Sequence, residues 1–348
     1  MNLTSSVNSE IHGAVNCPGD KSISQRALMV GAFINQNIII DGFLHGSDPL
    51  STMGALNQIG AEITIADDNL IQLKRRSFAF EESLMPLNLG NSGTGLRLML
   101  GLTSGLGLNL EFSGDSSLSQ RPMGRVIDPL SQMGASIKSE EGMLPISIKH
   151  SLLKDNFSYE LPVASAQVKS SILLAGLAAG VSVKVIEPIQ TRDHTERMLK
   201  YFGADIEIIS ENNKNIIQLS SGSKLKPLNY KVVGDISSAA FLIVGALITQ
   251  SPELKIFNVG MNPSRTGVLT ALKKMGANIK ATNQRVECGE PCADLVVRPS
   301  HLKGVKLSGD IIPNIIDEIP ILSIAAAFAE GDTIIRDAQE LRGRSEEH

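Results

Sequence analysis

The sequence predicts an α/β chain made of several small units, each alternating helix and strand over about 70 residues, with apolar helices packed inside. Two recurrences predict it. The first is a phrase: "LNQIGAEI", "LSQMGASI", "LKYFGADI" and "LKKMGANI", with glycines at Gly60, Gly134, Gly203 and Gly276, spaced 74, 69 and 73 residues apart. Each copy reads as the last turns of an amphipathic helix, a glycine at the C-terminal cap, then an entering strand. The second is a segment that begins polar and continues apolar. It starts at Ser22, Ser92, Ser165, Ile236 and Asp317, at spacings of 70, 73, 71 and 81.

The elements follow in order. "CPGDKSISQRAL" opens the first apolar helix, with Pro18, Gly19 and Asp20 as the turn before it. Ser22 and Arg26 are four apart, so a helix puts them on one face. After each apolar helix comes a β-rich run: "IIIDGF", "LNLEFSG", "VSVKVIEP", "ELKIFNVG" and "DTIIRDA". Their apolar residues alternate, as in strands. The apolar helix occurs five times and the capping glycine four times. A fifth glycine is due near residues 355–359, past His348, so the chain is expected to end inside a repeat.

Composition narrows the function. A length of 348 residues suggests two domains. The net charge of −4 gives no sign of a nucleic-acid partner, and 4% aromatics with no Trp makes a base-stacking platform a poor fit. The start lacks the basic and apolar blocks of a signal peptide, and "AAFLIVGALI" is too short to span a membrane. Three cysteines do not make a disulfide framework, and a cytoplasmic setting is expected. Cys288 and Cys292 form CxxxC with no second ligand pair, so no metal is expected there.

The starts of the apolar helices carry the chemistry. Free N–H groups and the positive end of the helix dipole make such places suited to anions. The first offers Lys21, Ser22 and Arg26. The second offers Asn91, Ser92, Gly93 and Thr94, with Arg97 beyond; the third, Ser165, Gln167 and Lys169; the fifth, Asp317 and Glu318. "SQRPMGR" adds Arg121 and Arg125, and "TRDHTER" adds Arg192, Asp193, His194 and Arg197. If the repeats are related by rotation, these starts converge on a cleft for a substrate bearing phosphate or carboxylate, with a carboxylate as general base or acid. Arg97 and Arg197 read alternatively as solvated or paired helix residues, and His194 as a surface residue. No GxxxxGK[ST] loop or HExxH occurs.

The stretches "PGDKSISQRAL", "GNSGTGLRL", "GDSSLSQRPMGRVIDPL", "ASAQVKSSILLAGL", "TRDHTERML", "GDISSAAF" and "IIDEIPILSIAAAFAEG" run in order through nearly the whole chain. Together they resemble the 5-enolpyruvylshikimate-3-phosphate synthase family, and the wording "SAQVKS" with "RDHTERML" is similar to its class II-like bacterial branch. The resemblance implies a two-domain enolpyruvyl transferase fold of six βαβαββ units, about five of them present. Residues 18–236 would form a complete three-unit domain, and 1–17 with 237–348 a second, incomplete at its end. It implies transfer of an enolpyruvyl group from phosphoenolpyruvate to the 5-hydroxyl of shikimate 3-phosphate, with no cofactor or metal, in a monomer.

Its site residues map onto Lys21, Ser22 and Arg26 facing both anions, with Lys21 between them and also catalytic, and Gly93 and Arg121 at phosphoenolpyruvate. Asn91, Thr94 and Arg344 join the substrate set. Ser165, Gln167 and Arg192 fall at shikimate 3-phosphate, and Asp317 at the catalytic carboxylate. In the family's register, Arg344 stands for a Lys, Ser345 for a Glu and His348 for an Arg. A C-terminal truncation, and with it an inactive chain, is therefore expected. Two alternatives stay open. One is UDP-N-acetylglucosamine enolpyruvyl transferase, whose loop cysteine has no counterpart near residues 108–125. The other is a non-catalytic fragment that binds a phosphate ligand.

Overall fold

In the computed structural model the described residues are 11–67, 69–74, 79–211, 214–249, 252–339 and 341. Helices form where the apolar segments and the capping phrases require them. They are α1 (Lys21–Ala32), α2 (Ser47–Gln58), α3 (Gly93–Leu106), α4 (Ser116–Ser119), α5 (Gly124–Met133), α6 (Ala166–Ala179), α7 (His194–Tyr201), α8 (Ile236–Ile248), α9 (Gly267–Lys274) and α10 (Ile319–Ala327).

The four recurring glycines end α2, α5, α7 and α9 in one way. Each has positive φ: Gly60 at 95°, Gly134 at 113°, Gly203 at 85° and Gly276 at 91°. The residue after each glycine donates back five positions, Ala61 to Leu56, Ala135 to Leu130, Ala204 to Leu199 and Ala277 to Leu272. Each glycine donates back three. This is the double hydrogen bond of the Schellman turn, which needs a left-handed residue and so favours glycine.

The strands repeat one topology. Phe157–Glu160 runs parallel to Val183–Glu187, which pairs antiparallel with Lys214–Leu219, which pairs with Ile206–Glu211. Leu87–Asn88, Leu110–Ser113, Met143–Lys149 and Ser136–Glu140 repeat the order. In the sheet of Ile38–Asp41, Leu70–Lys74 and Glu62–Asp67, the parallel lead strand is Tyr230–Lys231, from much later in the chain. In the sheet of Leu254–Gly260, Glu290–Arg298 and Asn278–Glu287 it is Gly13–Asn16, from the start. A fifth, two-stranded sheet pairs Lys306–Leu307 parallel to Ile334–Ile335 across α10. A parallel pair needs a crossover, and the apolar helices α3, α6 and α10 supply it directly.

The chain divides into two compact units. A continuous unit is Lys21–Val232; a discontinuous one is Met1–Asp20 with Val233–His348. Pro18–Asp20 and Val233–Ile236, expected with the first domain, lie in the discontinuous unit. The core of the continuous unit is built on the apolar helices. Leu28 and Met29 of α1, Leu96, Met99 and Leu100 of α3, and Leu173 and Leu174 of α6 are fully buried.

No helix among the described residues is long and apolar enough to cross a membrane. Among them, no group of three or more His, Cys, Asp or Glu is placed to hold a metal ion.

Candidate functional site

The starts of α1, α2, α3 and α6 are tied together by side-chain hydrogen bonds. Ser92 caps α3 by accepting from the Gly95 N–H at 3.0 Å. It also accepts from Gln25 Nε2 of α1 at 2.5 Å, and Gln25 reaches Thr52 of α2 at 3.1 Å. A Cβ on Gly95 would meet Ser92 Oγ at 2.6 Å and Thr52 Oγ1 at 2.8 Å, so the crossing is open only to glycine. Ser165 caps α6 through the Val168 N–H at 3.4 Å, and Gln167 Nε2 donates to Thr94 Oγ1 at 2.9 Å. Several helix N-termini with partly positive N–H groups thus share one region of the continuous unit. Lys21 opens α1 as an exposed side chain 3.2 Å from Asp48 Oδ2; Ser22 beside it is half-buried.

Two guanidinium groups lie over the start of α3. A Cβ on Gly93 would stand 2.9 Å from Arg97 Nη1 and 3.2 Å from Arg121 Nη1. Arg121 donates to Asn91 Oδ1 at 2.5 Å and Ser117 Oγ at 3.3 Å. Asn91 in turn donates to Asp115 Oδ2 at 2.7 Å. Asp115 is held ionised below the usual carboxylate range, first by the Leu118 N–H and then by Asn91. Arg97 donates to the Pro122 carbonyl at 3.3 Å. Burial, then Arg121 and Arg125, push its pKa down to about 10. Arg97 is therefore half-buried among like charges, where an anion relieves the repulsion. Sequence reasoning did not assign it to the site. The only signal was its place one turn into α3 behind Gly93.

Below this surface sits a buried polar layer. Arg26 is 3% exposed. Its Nε donates to Thr195 at 2.8 Å, its Nη2 to Ser170 at 3.0 Å and its Nη1 to the Ser22 carbonyl at 3.0 Å. It joins α1, α6 and α7. Lys169 is wholly buried between Glu187 at 2.9 Å and Glu196 at 2.6 Å. Burial alone would lower the Lys169 pKa, but the two carboxylates outweigh it and raise it. Burial pushes Glu196 up, and its Oε2 has no hydrogen-bond partner. His194 is buried, not at the surface as expected from its charged neighbours. Arg197 pairs with Asp193 at 2.8 Å one turn away, and Arg192 is half-buried before α7.

In the discontinuous unit Asp317 is half-buried. It occupies a 3₁₀ turn, Ile316–Glu318, and not the first turn of the apolar helix as the sequence suggested. Pro320 sits in the first turn of α10, so the helix begins at Ile319 and the preceding residues tighten into i→i+3 bonding. Glu318 is buried and accepts from Ser237 Oγ of α8. Arg344, Ser345 and His348 lie outside the described residues.

The family described as EPSP synthase (3-phosphoshikimate 1-carboxyvinyltransferase) matches residues 6–348. Among curated proteins, the 3-phosphoshikimate 1-carboxyvinyltransferase of Vesicomyosocius okutanii is 46% identical over 332 residues, covering 95% of this chain and 75% of that protein. The protein of that name from Synechococcus elongatus is 48% identical over 336 residues, covering 95% and 74%. An EPSP synthase structure from Acinetobacter baumannii superposes with a TM-score of 0.85 at 43% identity, covering 97% of this chain and 76% of that one.

Proposed function

The chain belongs to the EPSP synthase family, and on that premise we propose that it transfers the enolpyruvyl group of phosphoenolpyruvate to the 5-hydroxyl of shikimate 3-phosphate. The observation that carries the reading is the pair of guanidiniums, Arg97 and Arg121, over the side-chain-free start of α3. Phosphate and carboxylate groups are what such a pair binds.

The hydroxyl loses its proton to a base as its oxygen adds to C2 of the enol phosphate, and C3 gains a proton. The resulting tetrahedral carbon carries carboxylate and phosphate. Loss of a C3 proton and departure of phosphate then restore the alkene. Lys21, exposed at the mouth of α1, is assigned to the charges of both substrates. Asn91, Gly93, Thr94 and Arg121 are assigned to phosphoenolpyruvate; Ser22, Ser165, Gln167 and Arg192 to shikimate 3-phosphate. Asp317 is assigned to proton transfer. Arg26 is assigned to the charges of the substrates from the same helix as Lys21 and Ser22; a substrate contact by Arg26 would replace one of its present hydrogen bonds.

The same reading includes the class II-like affiliation, supported by "SAQVKS" and "RDHTERML", and a cytoplasmic monomer without metal, cofactor, nucleic-acid or membrane partner. The test is phosphate release from the two substrates, with UDP-N-acetylglucosamine as the control acceptor. It is run on residues 1–348 and on a chain extended with the C-terminal quarter of a relative. Phosphate release with shikimate 3-phosphate alone supports the reading. Release with the control acceptor alone, or with neither in both chains, overturns it.

A further inference from the structure

The loop before α9, "NPSR", delivers one buried cation. Ser264 N and Oγ bind Asn262 Oδ1 at 3.0 and 2.8 Å, and the Arg265 N–H binds the Asn262 carbonyl at 2.8 Å. Asn262 itself is buried and donates to Glu290 at 3.2 Å. The loop is therefore stiff, and it aims Arg265 inward. Arg265 Nη1 meets Asp20 at 3.3 Å; its Nη2 meets Asp235 at 3.2 Å and Ser237 Oγ at 2.6 Å. Ser237 Oγ in turn donates a hydrogen bond to Glu318 Oε1. Glu318 closes the 3₁₀ turn whose middle residue is Asp317, and its N–H binds the Ile315 carbonyl at 2.9 Å.

A second contact grips the same turn from the same loop. A Cβ on Gly267 would stand 2.6 Å from the Asn314 carbonyl and 2.7 Å from Ile315 Cγ2. The start of α9 thus presses on the backbone that leads into Asp317. The charged groups around Arg265 are Asp20, Asp235, Glu318 and Asp317, with the Cys17 thiol 3.2 Å from the Asp235 carbonyl. Burial alone would lower the Arg265 pKa; the four carboxylates outweigh it, so the cation is permanent.

We propose that Arg265 is a positioning residue for the reaction, setting the Asp317 turn through the relay Arg265–Ser237–Glu318. The inference rests on the proposed role of Asp317. Arg265 also holds Asp20 and Asp235 of the same unit, so one cation ties three separate stretches of that unit together.

Removing Arg265 strands buried carboxylates and risks unfolding. The decisive variant is therefore Ser237→Ala, which cuts the relay and keeps both ion pairs; Ser237→Thr restores the hydroxyl. In Ser237→Ala, amide exchange at Glu318 should quicken about tenfold or more while α8 and α9 keep their protection. Turnover should fall about tenfold with KM for both substrates within about twofold, and Ser237→Thr should recover most of it. Unchanged exchange at Glu318 overturns the inference whether or not turnover is measurable. Slow turnover in Asp317→Asn beside normal turnover in Ser237→Ala also overturns it and leaves the role of Asp317 standing. Normal turnover in Asp317→Asn removes both.

Discussion

Helix α8 of the discontinuous unit, "AAFLIVGALI", is more apolar than helix α3 of the continuous unit, "LRLMLGLTSG", yet it is the less completely covered of the two. In α3, Leu96, Leu98, Met99, Leu100 and Leu102 are all fully buried. Its Gly101 and Gly105 press on α6: a Cβ on them would stand 2.1 Å from the Ser171 carbonyl and 2.4 Å from the Ala175 carbonyl. In α8, Phe241 is 63% exposed, and Phe328, just past the end of α10, is 64% exposed. Apolar sequence states what a helix can bury. How much it does bury depends on whether neighbours surround it.

The largest expected effect breaks the tighter side of this comparison. Lys169 is the cation at the α6–α7 contact, and Lys169→Met leaves Glu187 and Glu196 buried without a counter-charge. Denaturant titration should show a loss of about 3–5 kcal/mol. The pH dependence has a definite sign. The folded-state Lys169 pKa is raised, so its contribution is complete below the ordinary lysine value and is lost as pH rises through the raised one. The wild type should therefore lose stability above about pH 10.5 more steeply than Lys169→Met. A variant as stable as wild type would show that the buried charges contribute nothing to the unit.

Gly101→Ala comes next. Alanine favours helix by about 1 kcal/mol, but its Cβ falls on a backbone carbonyl that cannot swing away. A net loss of about 2–3 kcal/mol is expected from forcing α3 and α6 apart. Thermal unfolding measures it. Gly54→Ala in α2, where a Cβ meets nothing within 4 Å, is the matched control and should not destabilise.

How far the sequence reached follows from the range of each interaction. The turns at Gly60, Gly134, Gly203 and Gly276 were legible because their hydrogen bonds span five residues. The strands after the apolar helices were legible by alternation. The lead strands Gly13–Asn16 and Tyr230–Lys231 were not, since their partners lie some 190 to 240 residues away. In the candidate site, the helix starts were legible as places where polar groups gather, but the surroundings of several side chains were not. His194 looked solvated among the charges of "TRDHTER", because Lys169, which pairs with Glu196 of that segment, belongs to "SAQVKS". Arg97 and Arg121 are 24 residues apart, and only the fold brings both to Gly93. Asp317 was placed on a helix because the polar-to-apolar pattern does not register how Pro320 resets the helix start.

Gly245→Ala sharpens the comparison from the looser side. On α8 its Cβ would meet only Ile11 Cδ1, at 2.7 Å, the far end of a flexible side chain. That end can rotate aside, so the helix-propensity gain and the contact cost nearly cancel. Thermal unfolding should place the change within about 1 kcal/mol of wild type. A loss equal to that of Gly101→Ala would mean that α8 is gripped as firmly as α3, and the contrast between the units would fall.

The smallest expected effect on stability is the most direct probe of exposure. Phe241 and Phe328 present most of their rings to solvent, so truncating them removes little buried area. Phenylalanine and serine have similar helix propensities, so the double variant Phe241→Ser with Phe328→Ser should unfold within about 0.5–1 kcal/mol of wild type. Its surface should change more than its stability. Apolar rings in water bind hydrophobic dyes and promote association. Native wild-type protein should therefore enhance the fluorescence of an anilinonaphthalene dye, and the variant should enhance it less while sedimenting no faster. The same substitutions at Leu98 and Met99 of α3 would instead unfold the chain. If the variant melts several degrees lower, the two rings are packed in solution. The faces of α8 and α10 would then be as well covered as those of α3, and the difference between the two units would lie elsewhere.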